Sequence, residues 1–527
     1  MRKKLIDEGY FFRSHSDTEV LLKSYIEWGT NCVDYLNGIF AFAVWDKKNC
    51  SLFMARDRLG VKPLFYTRRG KNIIFASEIK ALLEHPQVFP IIDDVGLMQI
   101  FGLGPARPSN SGIFKDILEL PPAHYLYITS EYTTMHEYWK LQSKPHEDNV
   151  SQTLSHIRNL FEITVKNQLI ADVPVCTFLS GGLDSTAISS VASSFYKKNG
   201  KELHTYSIDY EDNDKFFERS VFQPDADSEW IDYASNAIGS IHHNIIINNN
   251  DVVAALKDSA RANDYPGMAD VDSSLLLFCK EVRKDAVVAL SGECADEIFG
   301  GYPWFSRPDM IEANTFPWSQ ALDERYDLLH RDFKHLKLIE YVQSEYYDTL
   351  KCVPRLKGED SYSNRMREIS YLNLKWFMVT LLSRKDRMSM ANSLEVRVPF
   401  ADHEIVEYAW NIPIDIKYLE SREKGLLRRA FEGLMPNDLI WRKKSPYPKT
   451  HNPAYLKAVS SWLNEIINDS SSPILRIVDK KNMIDLIKSG GSSFGKPWYG
   501  QLMAGPQLIA YLAQINEWMA TYKLEIV

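Results

Sequence analysis

Apolar and polar positions alternate between strand-like and helix-like periods along the middle of the chain. Residues 173–179 form a short apolar run rich in β-branched side chains, whereas Ala187, Ile188, Val191 and Phe195 fall on one face of a helix. The pattern therefore predicts a strand, a loop at residues 180–185 and a helix that begins where this loop ends.

The same alternation continues as far as residue 290. It predicts strands at residues 203–208, 243–247 and 286–290 and helices at residues 229–237, 252–262 and 273–282. Alternating strands and helices are typical of a parallel sheet that is covered by helices on both faces. We therefore predict an α/β fold with a doubly wound parallel sheet.

The two ends of the chain have different patterns. Turn residues separate short apolar runs near the start, at residues 39–45, 51–55, 64–66 and 73–76, and this predicts a β-rich domain. After Tyr302 the pattern is mainly helical, most clearly at residues 361–394, which contain neither Gly nor Pro. The polar segment 140–151 is typical of a linker, so we predict domains at residues 1–140 and 151–515.

Composition narrows the class of protein. The 527 residues include 45% apolar side chains and carry a formal charge of −8, with cations dispersed among acids, which disfavours nucleic acid as a partner. No uncharged apolar stretch approaches the ~18 residues of a membrane helix. Six scattered cysteines without the spacing of a zinc site are typical of reduced thiols and of a cytoplasmic protein.

The loop at residues 180–185 has the chemistry of a phosphate site. Gly181 and Gly182 lack a Cβ and precede a helix N-terminus, where unpaired N–H groups and the helix dipole favour an anion. The loop has no P-loop lysine and carries Asp184 instead, which can hold a metal ion against phosphates. An ordinary turn is the alternative interpretation of so short a motif.

A second loop, residues 291–297, follows the predicted strand at residues 286–290. Glu293, Asp296 and Glu297 lie in it without a lysine or arginine, which indicates a bound cation, although a solvated acidic loop is the commoner case. Ligands of parallel sheets bind at the carboxyl ends of strands, where both loops would lie if their strands are neighbours. Together the loops predict a site that splits ATP into AMP and pyrophosphate.

Residues 267–274 form a third segment of interest. Pro266 and Gly267 predict a turn, and Asp272 or Ser273 is a candidate cap of the following helix. The functional alternative is that this segment lines the path of the acceptor or of ammonia, because it precedes the strand that leads to Glu293.

Further motifs extend the similarity over nearly the whole chain. Residues 180–185 and 291–297, SRKDRMSM at 383–390, SLEVRVPF at 393–400, RKK at 442–444, SDTE at 16–19 and ARDR at 55–58 resemble motifs of the glutamine-hydrolysing asparagine synthetase B family. The resemblance implies an N-terminal Ntn-hydrolase-like β sandwich, here truncated, and a C-terminal HUP-like ATP-pyrophosphatase domain with helical additions.

The resemblance also implies roles for individual residues. Those expected to bind ATP and pyrophosphate are Leu179, Ser180, Gly181, Gly182, Asp184, Ser185, Ile208, Ser291 and Gly292. Asp184 and Asp296 would hold Mg²⁺, and Glu293 and Lys444 would be catalytic. Glu297, Arg387 and Arg397 are candidates for binding aspartate, and Asp17 matches a position that binds glutamine.

The implied reaction is the amidation of aspartate through an acyl-adenylate, with ATP, aspartate and ammonia or glutamine as small-molecule partners. The resemblance leaves a homodimer open. One alternative is an amidotransferase that acts on another carboxylate, such as a cell-wall peptide precursor. Another is an inactive nucleotide-binding relic, against which the retention of both loops argues.

The N-terminal part departs from the family pattern. Relatives use a cysteine at the mature N-terminus as nucleophile, with its own α-amine as base. Here the sequence begins with Met1, and its first cysteine is Cys32, in a segment that resembles an interior part of the domain. We therefore expect an ammonia-dependent enzyme, whether through a misassigned start, a gene truncation or a relative that dispenses with glutamine.

Overall fold

The computed structural model describes residues 1–216, 227–445, 447–448, 450 and 452–527. They divide into two compact units, which are described separately. The first comprises Met1–Phe89, Ser109–Gly112 and Asp116–Gln142, and the second comprises Pro90–Pro108, Ile113–Lys115 and Ser143–Val527. The domain bounds expected from sequence stay a prediction.

The first unit is built mainly from antiparallel strands. Its first elements are α1 (Arg2–Asp7), α2 (Asp17–Trp28), β1 (Ala41–Asp46), β2 (Ser51–Arg56), β3 (Phe65–Arg69), β4 (Asn72–Ala76) and α3 (Ile79–Leu83). The next two elements along the chain, β5 (Ile91–Ile92) and α4 (Asp94–Met98), belong to the second unit. The first unit then continues with β6 (Leu118–Glu119), β7 (His124–Ile128) and β8 (Thr133–Glu137). The strands form two sheets, ordered β1-β2-β7-β8 and β4-β3-β6.

Strand β2 shows how the pattern of apolar residues forms this unit. Phe53 and Ala55 belong to one buried cluster and Met54 to another, because successive side chains of a strand point to opposite faces. Arg56, at the end of the strand, forms a buried ion pair with Glu119 at 3.1 Å. The strands predicted at residues 39–45, 51–55, 64–66 and 73–76 are all present, and each end lies within three residues of the predicted one.

The second unit contains a parallel sheet and many helices. Its remaining strands are β9 (Val175–Phe178), β10 (His204–Tyr210), β11 (Ile241–Ile247), β12 (Val288–Leu290), β13 (Glu395–Arg397) and β14 (Glu525–Ile526). Its remaining helices are α5 (Val150–Gln168), α6 (Leu183–Lys198), α7 (Asn213–Phe216), α8 (Asp227–Ile238), α9 (Asn249–Ala254), α10 (Leu256–Asn263), α11 (Asp270–Val282), α12 (Ala295–Phe299), α13 (Pro308–Ile311), α14 (Leu322–Asp327), α15 (Leu338–Lys351), α16 (Ser361–Leu372), α17 (Met378–Met390), α18 (His403–Asn411), α19 (Ile414–Lys417), α20 (Gly425–Ala430), α21 (Asn437–Trp441), α22 (Ala454–Asn468), α23 (Lys480–Lys488) and α24 (Gly505–Tyr522).

The parallel sheet has the strand order β11-β10-β9-β12-β13. From β9 the chain first adds β10 and β11 on one side and then β12 and β13 on the other, so the order reverses between β9 and β12. A crevice at such a reversal is the usual ligand site of an open α/β sheet. The predicted α/β class with a parallel sheet is confirmed, and the loops after β9 and β12 lie side by side.

Two predicted helices differ from those of the structure. The pattern at residues 252–262 predicts one helix, but the chain forms α9 and α10 with a break at Ala255. The long segment 361–394 contains α16 and α17, joined by a wider turn at residues 373–377, and ends at Met390. In the part of the chain described, no helix is long and apolar enough to cross a membrane.

Candidate active site

The loop after β9 depends on a glycine. Gly181 has a φ of +67°, and a Cβ at this position would lie 2.7 Å from the carbonyl carbon of Trp230 in α8. Any other residue would be both strained and in collision with backbone. Gly182 then begins α6 without a side-chain cap, so the first N–H groups of this helix point into the loop with the positive end of the dipole.

Hydroxyl groups and one arginine fix the shape of the same loop. Ser180 donates its backbone N–H to Ser185 Oγ at 3.1 Å, and the two hydroxyl oxygens are 2.9 Å apart. Arg442 donates from Nη1 to the carbonyl oxygen of Gly181 at 3.0 Å and pairs with Asp227. The loop is therefore held in one conformation before any ligand binds.

The loop after β12 approaches the first loop closely. Ser291 donates its N–H to the carbonyl oxygen of Arg397 on β13 at 2.9 Å, which places the start of the loop at the strand end. A Cβ on Gly292 would lie 3.0 Å from the backbone nitrogen of Ser185. Glycine at this position therefore lets the two loops touch.

Two lysines join the carboxylates of the two loops. Lys424 Nζ lies 2.6 Å from Asp184 and 2.7 Å from Asp296, and Lys444 Nζ lies 2.9 Å from Asp296. Burial disfavours the ionised form of Asp296, but the two ammonium groups outweigh it and lower the pKa of this carboxyl. At Asp184 burial prevails over Lys424 and raises the pKa.

Glu293 is held from one side only. Its Oε1 accepts from Arg384 Nη1 at 3.3 Å and from Lys385 Nζ at 3.1 Å. Its Oε2 is buried and, among the residues described, has no hydrogen-bond partner. Arg384 is oriented in turn by Asp272, whose Oδ1 accepts from Nε at 3.0 Å. One carboxylate oxygen is thus fixed by cations while the other stays available.

Glu297 forms a separate pair with Tyr302. The tyrosine hydroxyl donates to Glu297 Oε1, and burial raises the pKa of the Glu297 carboxyl to about 7. Lys444 Nζ lies 4.0 Å from the centre of the Tyr302 ring and donates to the carbonyl oxygen of Gly301 at 2.9 Å. Glu297 therefore fixes the ring against which Lys444 packs.

A cavity of about 260 Å³ lies between the two loops. Leu179, Ile208, Met268 and Leu275 contribute apolar surface, and the lining also includes several lysines and arginines. Most of the predicted site residues line this cavity: Leu179, Ser180, Gly182, Asp184, Ser185, Ile208, Ser291, Gly292, Glu293, Asp296, Glu297 and Lys444. Gly181 instead packs against α8.

Three predicted residues lie elsewhere. Arg387 is buried, pairs with Asp264 and donates to the carbonyl oxygen of Ala262 at 3.0 Å. Arg397 donates to the carbonyl oxygens of Gln168 at 2.6 Å and Ile170 at 2.8 Å. Neither arginine is among the residues that line the cavity, and Asp17 belongs to the first unit, at the start of α2.

The segment at residues 267–274 does not follow the predicted capping scheme. The helix begins at Asp270 and its N-cap is Ala269, which offers no side-chain acceptor. Asp272 accepts instead from the N–H of Met268 at 2.7 Å and from Asn263 Nδ2 at 2.8 Å. The carboxylate of Asp272 therefore binds groups outside the start of the helix and does not cap it.

The sequence interpretation missed Lys424, Arg384 and Lys385. Lys424 lies in the charged segment 420–424, which is typical of a solvated turn, yet its side chain is only 3% exposed. Arg384 and Lys385 are adjacent cations that follow the apolar residues Leu381 and Leu382 of α17, and charged side chains next to core positions are a signal of buried charge pairing. The position of Lys424 has no such signal in the sequence.

Comparison with known proteins places both parts of the chain. The family model for asparagine synthase matches residues 156–520, and the model for a glutamine amidotransferase domain matches residues 1–139. The second match does not confirm the expectation that the N-terminal domain is truncated.

Individual relatives agree with these models. Asparagine synthetase [glutamine-hydrolyzing] 3 of Bacillus subtilis is 54% identical over 100% of this chain and 86% of its own length. Asparagine synthetase [glutamine-hydrolyzing] 1 of the same organism is 29% identical over 90% of this chain and 77% of its own length. Amidase chry2 of Gibberella zeae is 24% identical over 85% of this chain and 74% of its own length.

Proposed function

The chain belongs to the asparagine synthase family of ATP-dependent carbon–nitrogen ligases, and we propose that it converts aspartate to asparagine through a β-aspartyl-adenylate. The observation that carries this proposal is the meeting of Asp184 and Asp296 at Lys424, at the ends of two adjacent strands. A nucleotide bound there would present its phosphates to both loops and both lysines.

The nucleotide has a defined orientation in this proposal. The apolar surface of Leu179 and Ile208 suits the adenine ring, and the N–H groups at the start of α6 suit the phosphates. Ser180 and Ser185 add hydroxyl donors, and Ser291 and Gly292 close the opposite side. We expect the α-phosphorus to lie where the two loops meet.

The site also fits Mg²⁺. Asp184 Oδ1 is buried and has no hydrogen-bond partner among the residues described, and carboxylate oxygen is the ligand that Mg²⁺ prefers. Mg²⁺ in nucleotide sites is commonly held by one or two carboxylates together with substrate phosphates. Asp184 and Asp296 would hold the ion, which would neutralise phosphate charge.

The first step transfers AMP to the acceptor. A carboxylate oxygen of aspartate bonds to the α-phosphorus while the bond from that phosphorus to the bridging oxygen breaks, and pyrophosphate leaves. Negative charge builds up on the leaving group, so a fixed cation beside it lowers the barrier. We assign this role to Lys444, and the contacts of its ammonium group with the ring of Tyr302 and the carbonyl oxygen of Gly301 support the assignment.

The second step forms the amide. The nitrogen of ammonia bonds to the acyl carbon, the bond from that carbon to the adenylate oxygen breaks, and a proton leaves the nitrogen as AMP departs. Glu293 has a buried oxygen without a hydrogen-bond partner among the described residues and can accept this proton. Arg384 and Lys385 hold its other oxygen and thereby fix its orientation.

The nitrogen source is a further part of the proposal. Cys32 and Cys50 are the cysteines of residues 1–139. Burial raises the pKa of the Cys32 thiol to about 12, which disfavours a nucleophilic thiolate at neutral pH. Cys50 is exposed in the turn that joins β1 and β2. Neither position suits a nucleophile activated by its own α-amine, and we propose that the synthetase site accepts ammonia that is supplied directly from solution.

The test measures pyrophosphate and asparagine in mixtures of the full chain with ATP, Mg²⁺ and aspartate. Ammonium should support the release of both products, whereas glutamine in its place should not. Equal rates with glutamine would refute the proposed nitrogen source. Pyrophosphate release that needs a different carboxylate would refute aspartate as the acceptor, and no release with any acceptor would favour a nucleotide-binding relic.

A matched pair of variants tests the role of Glu293. We expect Glu293→Gln to lower the rate of amide formation by about 100-fold or more, the range for loss of a general base. Glu281→Gln is the control, since Glu281 forms an exposed ion pair with Lys284 at 2.5 Å. An unchanged rate in the first variant would remove Glu293 from the mechanism. Analytical ultracentrifugation would test whether the chain forms a homodimer.

A further inference from the structure

A tight turn at residues 499–503 contributes part of the cavity wall. Trp498 donates its N–H to the carbonyl oxygen of Met503 at 2.8 Å, and Met503 donates its own N–H to the carbonyl oxygen of Tyr499 at 3.3 Å. All three residues are fully buried. The base of the turn is therefore anchored, and its tip, residues 500–502, lines the cavity.

Gln501, in the middle of this tip, carries a polar side chain to which the proposed reaction gives no role. The residue is half-buried, and among the described residues that line the cavity it is the one with an amide side chain. In the part of the chain described, no group forms a hydrogen bond with this amide. An amide has both donors and an acceptor, so it can bind a group of either charge.

The helix α17 relates the tip of the turn to the reacting groups. Phe377, the residue before α17, lines the cavity together with Arg384 and Lys385, and their spacing places all three on one helix face. A Cβ on Gly500 would lie 3.5 Å from the ring of Phe377, so the tip packs at the start of this face. Arg384, which binds Glu293, lies seven residues further on, or about 10 Å at 1.5 Å per residue. A small acceptor fits a span of this size.

The acceptor of the proposed reaction has two ends that need different partners. One carboxylate of aspartate must reach the α-phosphorus near Glu293, and the other end carries an α-carboxylate and an α-ammonium group. An amide can donate from Nε2 to the α-carboxylate and accept at Oε1 from the α-ammonium group. Arg387 and Arg397 were the expected partners of aspartate, but both bind internal acceptors, which leaves this role open.

We propose that Gln501 recognises the α-carboxylate and the α-ammonium group of aspartate and thereby sets the specificity for the acceptor. The inference rests on the proposed function, whose acceptor site it completes. A neutral amide binds a zwitterion without attracting the triphosphate of ATP, whereas an arginine at the same position would attract both. Gln501 would therefore keep this end of the cavity for the acceptor.

The first test combines one variant with two acceptor analogues in the assay of pyrophosphate release. β-Alanine is aspartate without its α-carboxylate, and succinate is aspartate without its α-ammonium group. Gln501→Leu should raise the KM for aspartate by about tenfold or more, the effect of losing a hydrogen bond to a charged group, and should leave the KM for ATP within about twofold. The unmodified chain should prefer aspartate to both analogues, and the variant should lose most of this preference. A merely structural role would lower the rate with all three acceptors alike.

A second variant and a control sharpen this test. Gln501→Glu keeps the size of the side chain and adds a negative charge, so it should raise the KM for aspartate further than Gln501→Leu does, because it repels the α-carboxylate. β-Alanine lacks that carboxylate and should be affected much less. The control is Gln343→Leu, since Gln343 is exposed on α15 and its substitution should leave the KM values for aspartate and ATP unchanged.

The second test measures binding without turnover. The thermal midpoint of the full chain is followed with and without aspartate, in the presence of Mg²⁺ and of an ATP analogue with a methylene group between the α- and β-phosphorus atoms. Aspartate should raise the midpoint of the unmodified chain and of Gln343→Leu, because a ligand that binds the folded state stabilises it. It should raise the midpoint of Gln501→Leu much less.

Three results would overturn the assignment. They are an acceptor preference that is the same in Gln501→Leu as in the unmodified chain, a midpoint that responds equally to aspartate in both, and a rise in the KM for ATP in place of that for aspartate. The last result would indicate that Gln501 contacts the nucleotide. If the unmodified chain releases no pyrophosphate with aspartate and ammonium, the proposed function fails, and the thermal measurement still decides whether Gln501 binds aspartate.

Discussion

Replacement of Lys424 by methionine is the sharpest test of how the two loops are held together. The ammonium group lies 2.6 Å from Asp184 and 2.7 Å from Asp296, and its side chain is 3% exposed. Methionine keeps most of the length and the apolar stem but removes the charge. The variant Lys424→Met therefore isolates the electrostatic role of this residue.

The magnitude follows from the partners that remain. Asp296 keeps Lys444 at 2.9 Å, whereas Asp184 loses the one cation that pairs with it in the described part of the chain. Removing one partner of a buried ion pair costs about 3–5 kcal/mol, because the remaining charge stays desolvated. We expect the free energy of unfolding to fall by that amount and the rate of pyrophosphate release to fall by about 100-fold or more.

Urea denaturation followed by tryptophan fluorescence measures the first effect. Mg²⁺ should stabilise Lys424→Met more than it stabilises the unmodified chain, because a divalent cation can replace the missing positive charge at Asp184. The double variant with Asp184→Asn should recover part of the loss, since no unpaired carboxylate then remains at that position.

The control is Lys351→Met. Lys351 also lies 2.6 Å from an aspartate, Asp348, but 74% of its side chain is exposed, so the same substitution should leave the urea midpoint unchanged. The reasoning is refuted if Lys424→Met unfolds at the midpoint of the unmodified chain. It is also refuted if Asp184→Asn adds to the loss instead of offsetting it.

Three further predictions rest on other parts of the structure. Gly181→Ala should abolish pyrophosphate release and should lower the free energy of unfolding more than Gly200→Ala does. Both glycines have a φ of +67°, but only Gly181 has backbone atoms within 3 Å of the new Cβ. In urea titrations, Gly200→Ala should therefore cost only the strain of a left-handed residue, about 1–2 kcal/mol. Burial lowers the pKa of Lys417 to about 7, so between pH 7 and the ordinary lysine pKa near 10.5 the unfolded chain binds more protons than the folded chain. The contribution of Lys417 to the free energy of unfolding should therefore rise with pH across this window. Lys417→Met should remove this rise from urea midpoints measured at a series of pH values, and equal pH dependence of the two chains would contradict the prediction. Iodoacetamide should label Cys50 and Cys352 in the native chain and spare the four buried cysteines, as mass spectrometry of peptides can show; labelling of all six would mean that the fold opens readily.

The sequence predicted the loops of the site well because each follows a short apolar run. β9 and β12 both appear as such runs, and the loop that follows a buried parallel strand lies at the carboxyl end of the sheet. The adjacency of the two strands could not be read from the sequence, because strand order depends on contacts between residues more than 100 positions apart. Adjacency is nevertheless what turns two loops into one site.

Arg387 and Arg397 show what could not be predicted from the sequence. Arg387 and Arg397 are plausible partners for a carboxylate substrate by residue type alone, yet internal acceptors use both of them. The partner of Arg387 is Asp264, which is 123 residues away in the sequence. The sequence gives the sign of a side chain's charge, whereas tertiary packing decides which group forms an ion pair or hydrogen bond with it.

Lys424 connects the stability of the site with its proposed chemistry. Without a nucleotide, this ammonium group and Lys444 neutralise the carboxylates of two loops that would otherwise repel each other. In the proposed function, phosphates and a divalent ion would bring charges of both signs to the same place, so either lysine could turn toward phosphate without leaving a carboxylate unpaired. We therefore expect the two loops to stay together in the free and the bound chain. When a nucleotide binds, the lysines and aspartates of this site would change their ion-pair partners with little movement of the backbone.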